Sequence, residues 1–189
     1  EATTADNTRT HLLRTGIVLG PDGGWVKELL PFYRRGVSGA LGAGNQWMSW
    51  IHERDFCRAV EHIVESSSES DESAWNLTAP NPVTNGEFSR ALEETLNKTD
   101  VNDSNANRTK PDSSASSTNF SKFIRKLSSD KDGRPRNVPR PFIRLHSGEV
   151  ADAFLLNGAK AMPGKLCSSD FSFQFQTVEE ALSSLSIKT

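Results

Sequence analysis

The sequence predicts an α/β fold. Short apolar segments suited to strands alternate along the 189 residues with segments whose apolar residues recur at helical spacing. Two Thr-x-x-Glu sequences, which begin at Thr84 and Thr177, are capping boxes that mark the starts of two helices. Two or three predicted strands are few for a self-sufficient doubly wound sheet, so a partner lobe is expected.

The N-terminal block, residues 1–96, contains most of the predicted elements. Strands are predicted over residues 11–19, 46–51 and 74–77, and helices over residues 25–32, 56–64 and 88–96. The helix over 56–64 has the clearest periodicity, with apolar residues at i, i+3, i+4, i+7 and i+8. Asp55 or His52 lies where its N-terminal cap is expected.

The C-terminal block, residues 138–189, contains two further predicted helices. The first covers residues 148–157 and is stopped by Gly158, and a short extended piece follows over residues 171–175. The last helix begins after Thr177 and places four apolar residues on one face: Val178, Ala181, Leu182 and Leu185.

A polar segment, residues 97–137, separates the two blocks. Sixteen of the 23 residues from 97 to 119 are Ser, Thr, Asn or Asp, and such a composition buries too little apolar surface to offset the entropy of ordering it. We therefore predict a disordered insertion or linker. Residues 120–144 carry eight Lys or Arg against two Asp. This basic segment fits a short helix docked on its own domain, or, less well, a contact with an anionic membrane or a partner.

Composition excludes several classes of protein. The chain has 22 Lys+Arg and 24 Asp+Glu, so it lacks the basic field of a nucleic-acid-binding protein, and no nucleic-acid partner is expected. Two cysteines, Cys57 and Cys167, form no disulfide framework or metal-ligand spacing, which fits a reducing compartment such as the cytoplasm, a plastid or a mitochondrion. The chain begins with Glu1 rather than Met, so we expect a processed product or a fragment.

Local motifs do not identify a catalytic residue. Residues 36–42 match GxxGxxG, but a phosphate-binding loop needs a strand before it and a helix after it, and a flexible surface loop fits these flanks better. Tyr33 is followed four residues later by Val37, so the Tyr-x-x-x-Lys pair is absent. His52 is expected to be a structural cap rather than a base. No catalytic or metal-binding residue is predicted.

Three longer runs resemble one family. They are LRTGIVLGPDGG at 13–24, GAGNQWMSWIH at 42–52 and NLTAPNPVTNGEF at 76–88. Together they are similar to the C-terminal half of the epimerase-like proteins in the atypical, extended branch of the short-chain dehydrogenase/reductase superfamily. The tail, with Met162-Pro163-x-Lys165-Leu166, Phe171-x-Phe173 and Glu180-Ala181-Leu182, resembles the small C-terminal domain of these proteins. The resemblance covers about residues 11–96 and 139–185.

The resemblance implies the C-terminal part of a Rossmann-type NAD(P)-binding fold, with late strands and a substrate lobe in 1–96 and a small domain in 138–189. By similarity, the cofactor-binding residues are Thr15, Gly16 and Ile17. The residues on the substrate-lobe side are Gln46, Trp47, Ser49 and His52, although burial between lobes is the alternative for Trp47. The sequence departs from the family at Gly158-Ala159-Lys160, where the family has a polar residue after the glycine, and in the insertion at 97–119.

The implied function belongs to a longer parent protein. An intact parent would bind NADP or NAD and an unknown small-molecule substrate, whereas the phosphate loop and the Tyr/Lys pair of the family lie upstream of the first run. We therefore expect this chain to be inactive alone, to bind no cofactor tightly and to require the missing N-terminal Rossmann lobe as a partner. The alternative is a non-catalytic dehydrogenase-fold interaction module, associated with a membrane or with organelle division through residues 120–144.

Overall fold

The structure, a computed structural model, describes residues 10–21, 23–34, 39–66, 74–103 and 158–185. Within these ranges the chain forms six strands and five helices. In chain order they are β1 (Leu12–Thr15), β2 (Ile17–Leu19), α1 (Gly24–Arg34), β3 (Trp47–Met48), β4 (Trp50–His52), α2 (Glu53–Ser66), β5 (Ala74–Leu77), β6 (Val83–Thr84), α3 (Asn85–Asp103), α4 (Gly164–Ser168) and α5 (Val178–Ser184).

The described strands pair two by two. β1 runs parallel to β5, with Leu12 opposite Ala74, and β2 runs parallel to β4, with Ile17 opposite Trp50. β3 and β6 form a short antiparallel pair. Helices α1 and α2 follow parallel strands directly in the sequence, as the α/β architecture requires, so the predicted α/β class is confirmed.

Two of the predicted strands are interrupted. The strand predicted over 11–19 is divided at Gly16 into β1 and β2, and the strand predicted over 46–51 is divided at Ser49 into β3 and β4. In each case the two halves pair with different neighbours, because the chain leaves one sheet and enters another. A periodicity argument cannot detect such a change of partner, since the apolar pattern continues through it.

Helix α3 is longer than predicted. It ends at Asp103 rather than Leu96, so the prediction of disorder from Asn97 onward is wrong for residues 97–103, which are helical. The helix predicted over 148–157 and the basic segment 120–144 lie outside the described residues. The piece predicted to be extended, 171–175, forms no paired strand and is held instead by side chains of the N-terminal block.

Helix α2 shows how local sequence starts an element. The backbone N–H of Arg54 donates to Nδ1 of His52 at 3.0 Å, which satisfies one of the donors left free in the first turn. Ala59 and Ile63 on one face are buried, and they pack in a cluster with Ile51 and Trp75. The prediction that His52 is a structural cap is therefore confirmed.

The core consists of two clusters, and the C-terminal tail completes both. We call residues 158–185 the tail and residues 10–103 the body. The first cluster, around Trp50 and Phe88, includes four tail residues: Val178, Ala181, Leu182 and Leu185. The second cluster, around Ile51 and Leu77, includes Leu166. Since a fully buried leucine contributes about 1.5–3 kcal/mol, the tail is a substantial part of the core.

The last helix begins at the predicted capping box. The Thr177 side chain accepts from the backbone N–H of Glu180, and the Glu180 side chain accepts in return from the backbone N–H of Thr177. This reciprocal pair starts α5 at Val178 and directs its apolar face onto α3. The expected apolar face is confirmed, because all four of its residues are buried.

Candidate functional site

The candidate site lies where the chain passes from β1 to β2. The backbone N–H of Gly16 donates to the carbonyl of Leu77 at 3.0 Å, and the next N–H, of Ile17, donates to the carbonyl of Ser49 at 2.8 Å. Two successive donors of one segment thus bind two different sheets. Gly16 is the point at which the chain changes sheet.

Three segments meet tightly at this point. A Cβ atom on Gly16 would lie 2.7 Å from the Ser49 carbonyl oxygen and 3.0 Å from Cγ2 of Thr78. Both distances are shorter than ordinary van der Waals contacts, so no other residue fits without movement. β1 and β5 run parallel and end side by side at Thr15 and Leu77, so this junction lies at their carboxyl ends. In open α/β sheets, ligands bind outside the carboxyl ends of the strands.

The start of the tail, residues 158–162, lies over this junction, and we call it the strap. Oγ of Ser49 donates to the Ala159 carbonyl at 2.7 Å and accepts from the Ala161 N–H at 2.8 Å. Nδ2 of Asn76 donates to the Met162 carbonyl at 3.0 Å. The strap is therefore bound through its backbone by polar side chains at the strand ends.

Trp47 and the strap are also in close contact. A Cβ on Gly158 would collide with the Trp47 carbonyl oxygen, so the two backbones are packed with no space for a side chain. Nζ of Lys160 lies 4.0 Å from the centre of the Trp47 ring, within the range of a cation–π interaction. The departure from the family at 158–160 thus falls in a segment that touches a predicted site residue.

The structure brings together some of the predicted site residues and separates others. Gly16, Ile17 and Ser49 meet at the junction, Thr15 is exposed beside it, and Trp47 lies under the strap. Gln46 lies elsewhere: its Nε2 donates to the Leu41 carbonyl at 2.9 Å, and its own carbonyl accepts from the Asn85 N–H.

His52 is enclosed by the far end of the tail. It is 2% exposed, and its ring stacks on Phe175 with the ring centres 3.9 Å apart. Because Nδ1 accepts from the Arg54 N–H, the neutral ring carries its proton on Nε2, which donates to Oγ of Ser184 at 3.0 Å. Both ring nitrogens are used, so the structure presents His52 as part of the tail contact rather than as an open base.

Sequence reasoning did not select Asn76 and Thr78 as site residues. Both lie in the third family-like run, at and just after the end of β5, where polar side chains reach the carboxyl edge. Oγ1 of Thr78 donates to the Ala161 carbonyl at 3.4 Å, and its methyl group closes the space around Gly16. Polar residues at the carboxyl end of a parallel strand were the signal that could have identified them.

The glycine-rich loop is built into the start of α3. The Asn85 side-chain oxygen accepts from the Leu41 N–H at 2.6 Å, and the Gly86 N–H donates to the Gly44 carbonyl at 2.8 Å. The Glu87 N–H donates to Oγ1 of Thr84. The first donors of α3 are thus already bonded to protein, whereas a phosphate site needs them free. This arrangement favours a structural role for residues 39–46 over phosphate binding.

Acid–base groups are sparse at the site. Burial raises the pKa of Tyr33, which is opposite to the lowering that would activate a tyrosine for proton transfer. Cys57 and Cys167 are free and exposed. Among the residues that the structure describes, no three His, Cys, Asp or Glu side chains are grouped to hold a metal ion.

No helix in the described ranges is long and apolar enough to cross a bilayer.

We expect His52 to make the protein less stable at acid pH, so that the free energy of unfolding decreases as pH is lowered. Burial lowers the pKa of His52 below its usual 6.5 and outweighs the opposing Glu53 and Asp55 carboxylates, while the nearby Arg54 guanidinium lowers it further. Below pH 6.5 the unfolded chain binds a proton that the folded chain resists, so the free energy of unfolding decreases as pH falls through 6.5 toward the lowered pKa. Above about pH 7.5 both states carry the neutral ring, and the contribution of His52 is constant.

Urea unfolding at several pH values between about 5 and 8 measures this effect. His52→Asn is the reference, because asparagine keeps an N-cap acceptor and does not titrate. The other three histidines are present in both proteins and cancel in the difference. An equal loss of stability in both proteins on acidification would contradict the assignment.

Comparison with known proteins shows which proteins this fold resembles. Residues 138–185 match the domain of unknown function DUF1731. The human epimerase family protein SDR39U1 (isoform 2), solved with NADPH, superposes with a TM-score of 0.70 at 23% identity, over 97% of this chain and 50% of that one. The UDP-glucose 4-epimerase of Thermotoga maritima superposes with a TM-score of 0.54 at 15% identity, over 92% and 43%. The fold is thus an α/β fold with parallel sheets, similar to the Rossmann-type epimerases.

The sequence is also similar to several epimerase family proteins. An epimerase family protein of Mycobacterium bovis is 32% identical over 92% of this chain and 46% of its own length. The chloroplastic SDR39U1 homolog of Arabidopsis thaliana is 29% identical over 93% and 40%, and SDR39U1 of Bos taurus is 28% identical over 94% and 48%. The chain spans about half the length of the curated relatives it matches. Together these similarities show that the chain resembles epimerase family proteins over about half of their length.

Proposed function

We propose that this chain is the C-terminal, substrate-lobe portion of an NAD(P)-dependent epimerase or oxidoreductase-like protein. The observation that carries the proposal is the junction at Gly16, where a strand leaves one parallel pair for another at the carboxyl ends of β1 and β5. In open α/β sheets, ligands bind in the crevice outside the carboxyl ends of the strands, and the junction lies at that edge of the β1–β5 pair. The epimerase-family relatives agree with it.

The sheet of the body also offers a place for a further lobe. In the described residues β1 pairs with β5 on one side, and the backbone of its other edge has no strand beside it. Leu12 on that strand is 58% exposed, which is high for a leucine in a parallel sheet. An N-terminal Rossmann lobe would continue the sheet at this edge and cover Leu12.

In the intact parent, Thr15, Gly16 and Ile17 would form the wall beside the nicotinamide end of NADPH or NADH. Gly16 suits this position because a backbone without a side chain allows a close approach. The first donors of α3 are bonded to protein, so the pyrophosphate would be held by the missing lobe rather than by this chain. The cofactor would supply the hydride, while this chain would orient the substrate and exclude water beneath the strap.

Substrate contacts would come from the strap side. Trp47 offers a flat apolar face beside Lys160, and Ser49 fixes the strap at a defined distance from Gly16. A small molecule with a hydroxyl or carbonyl group is the class of substrate that hydride transfer requires. Gln46 and His52, which the resemblance assigns to the same side, would act indirectly, by holding the loop at 41–46 and the tail.

We expect NADPH to bind this chain weakly and locally. In a titration followed by amide NMR shifts, the changes should fall on Thr15, Gly16 and Ile17, with millimolar affinity, which corresponds to only about 4 kcal/mol of binding free energy. Nicotinamide mononucleotide should reproduce the shifts. Adenosine 2′,5′-bisphosphate, which lacks the nicotinamide, should not.

Three results would count against the proposal. Micromolar binding of NADPH, or its oxidation by this chain, would show that the phosphate site and the proton donor are present after all. Shifts centred on the glycines at 39–44 would move the cofactor to the other loop. No shift at 15–17 at saturating nicotinamide mononucleotide would remove the cofactor wall.

A further inference from the structure

The segments that meet at the Gly16 junction carry positive charge and no carboxylate. These segments are residues 10–20, 42–52, 74–86 and 158–169. They contain three cationic side chains, those of Arg14, Lys160 and Lys165, and no Asp or Glu. The whole chain, by contrast, has 24 Asp+Glu against 22 Lys+Arg and a formal net charge of −2. The charge at the junction is therefore opposite in sign to the net charge of the protein.

Lys160 is held in place by the residues on either side of it. Oγ of Ser49 donates to the Ala159 carbonyl and accepts from the Ala161 N–H, so one hydroxyl group fixes the backbone on both sides of Lys160. The side chain of Lys160 is exposed, and its Nζ lies 4.0 Å from the centre of the Trp47 ring. The ammonium group is thus positioned on an aromatic face while it stays open to solvent.

Arg14 lies on the face of the sheet to which the strap is attached. It is opposite Asn76 in the parallel β1–β5 pair, and residues opposite each other on neighbouring strands project to the same face. Nδ2 of Asn76 donates to the Met162 carbonyl of the strap at 3.0 Å. Arg14 is exposed and lies two residues before Gly16, so it places a second cation beside the strap and the junction.

Neither cation is neutralised within the part of the chain that the structure describes. No described carboxylate forms an ion pair with Arg14 or Lys160. Asp55 is buried and is already bound by Arg58 and by backbone N–H groups of the tail, and Glu53 lies against Gly20 at the end of β2. A cleft lined by charge of one sign concentrates ligands of the opposite sign. The junction is therefore suited to an anion.

We propose that the junction binds a small hydroxy or oxo compound that carries a phosphate or carboxylate group, with Lys160 and Arg14 holding the anionic group. The inference rests on the proposed function, because it names the substrate class of the same site. Phosphate and carboxylate oxygens accept charge-assisted hydrogen bonds from guanidinium and ammonium groups. The Trp47 ring lies beside Lys160 and offers an apolar face to the carbon atoms of the substrate. Ser49 is a positioning residue that keeps Lys160 in place.

Two matched pairs of probes test the proposal on this chain without cofactor. Glycerol 3-phosphate is compared with glycerol, and lactate with lactamide, so the members of each pair differ in the anionic group. Binding is followed by the NMR shifts of the Trp47 indole N–H and of the Lys160 and Ala161 amides. We expect at least one of the two anions to bind about tenfold more tightly than its neutral counterpart. The two pairs show whether the site accepts phosphate, carboxylate or both.

Substitutions identify the groups that hold the anion. Lys160→Gln should weaken its binding about fivefold, and the double variant with Arg14→Gln should weaken it further. Lys160→Arg keeps the charge and should bind as the native chain does. The matched control is Lys98→Gln, which removes the same charge from an exposed position of α3 and should leave the affinity unchanged. Circular dichroism checks that each variant is folded.

Two results would overturn the proposal. One is equal affinity for the charged and neutral members of both pairs, and the other is an equal loss of affinity in Lys160→Gln and Lys98→Gln. The proposed function fails by a different result, which is the absence of shifts at residues 15–17 with nicotinamide mononucleotide. If the anions bind but those shifts are absent, the cofactor wall is wrong and the anion site stands. The reverse result removes the anion site alone.

Discussion

Gly16→Ala is expected to lower the free energy of unfolding by about 3 kcal/mol, since overpacking a tight site costs about 1–3 kcal/mol and more where nothing can yield. The atom nearest to the added methyl group, at 2.7 Å, is the backbone carbonyl oxygen of Ser49. That oxygen accepts the Ile17 N–H, so moving it weakens the first bond of β2 as well. Chemical denaturation followed by circular dichroism measures the loss.

Two other glycines serve as controls for this substitution. A Cβ on Gly23 or on Gly164 would meet nothing within 4 Å. Alanine at either position removes only the conformational freedom of glycine in the unfolded chain. We therefore expect the free energy of unfolding to change by no more than about 1 kcal/mol, in either direction. If Gly16→Ala cost no more than Gly164→Ala, the three segments would not be packed as tightly at the junction as the distances indicate.

The elements that local sequence encodes were predictable. α2 and α5 each have an apolar face at helical spacing and a capping residue at the first turn, and both signals lie within a few positions of each other in the chain. The α3 capping box was equally visible, but the end of that helix was not. The polar composition after Leu96 favours disorder, yet the structure continues the helix to Asp103.

Contacts between distant residues were not predictable from periodicity. Ser49 and Ala161 are 112 positions apart, and nothing in either local sequence indicates that one binds the other. Asp55 illustrates the same limit. Its position before an apolar helix made it a candidate cap, but His52 caps α2, and Asp55 binds backbone about 120 residues away.

The candidate site was predictable only from the long runs that resemble the family. The run at 13–24 includes Gly16, and the structure gives the physical reason for a glycine there, which is the close approach of Ser49 and Thr78. The same resemblance placed His52 with Trp47 and Ser49 on the substrate-lobe side. β4 separates them in space, since its carboxyl end brings His52 to α5 rather than to the strap.

Asp55→Ala is expected to destabilise the protein by about 3 kcal/mol, because hydrogen bonds to a charged group contribute about 1.5–3 kcal/mol each and the donors of Gln174 and Phe175 lose their acceptor. The carboxylate is fully buried, so water does not take its place without opening the contact. The ion pair with Arg58 adds less, since that side chain is 38% exposed. The loss should appear in urea unfolding, and hydrogen exchange should quicken most at the amides of Gln174 and Phe175.

Two comparisons separate this role from a general effect of removing charge from α2. Glu61→Ala removes an exposed carboxylate from the same helix and is expected to change stability by no more than about 0.5 kcal/mol. Asp55→Asn keeps one acceptor oxygen in place. Its loss of stability should lie between those of Asp55→Ala and Glu61→Ala, because it retains part of the binding of residues 174–175 but not the charge. If Asp55→Ala and Glu61→Ala were alike, or if exchange quickened evenly over the whole chain without a maximum at 174–175, the buried carboxylate would not be what holds the tail on the body. A loss concentrated in the tail would instead show that one acidic side chain of α2 holds residues 174–175 on the body.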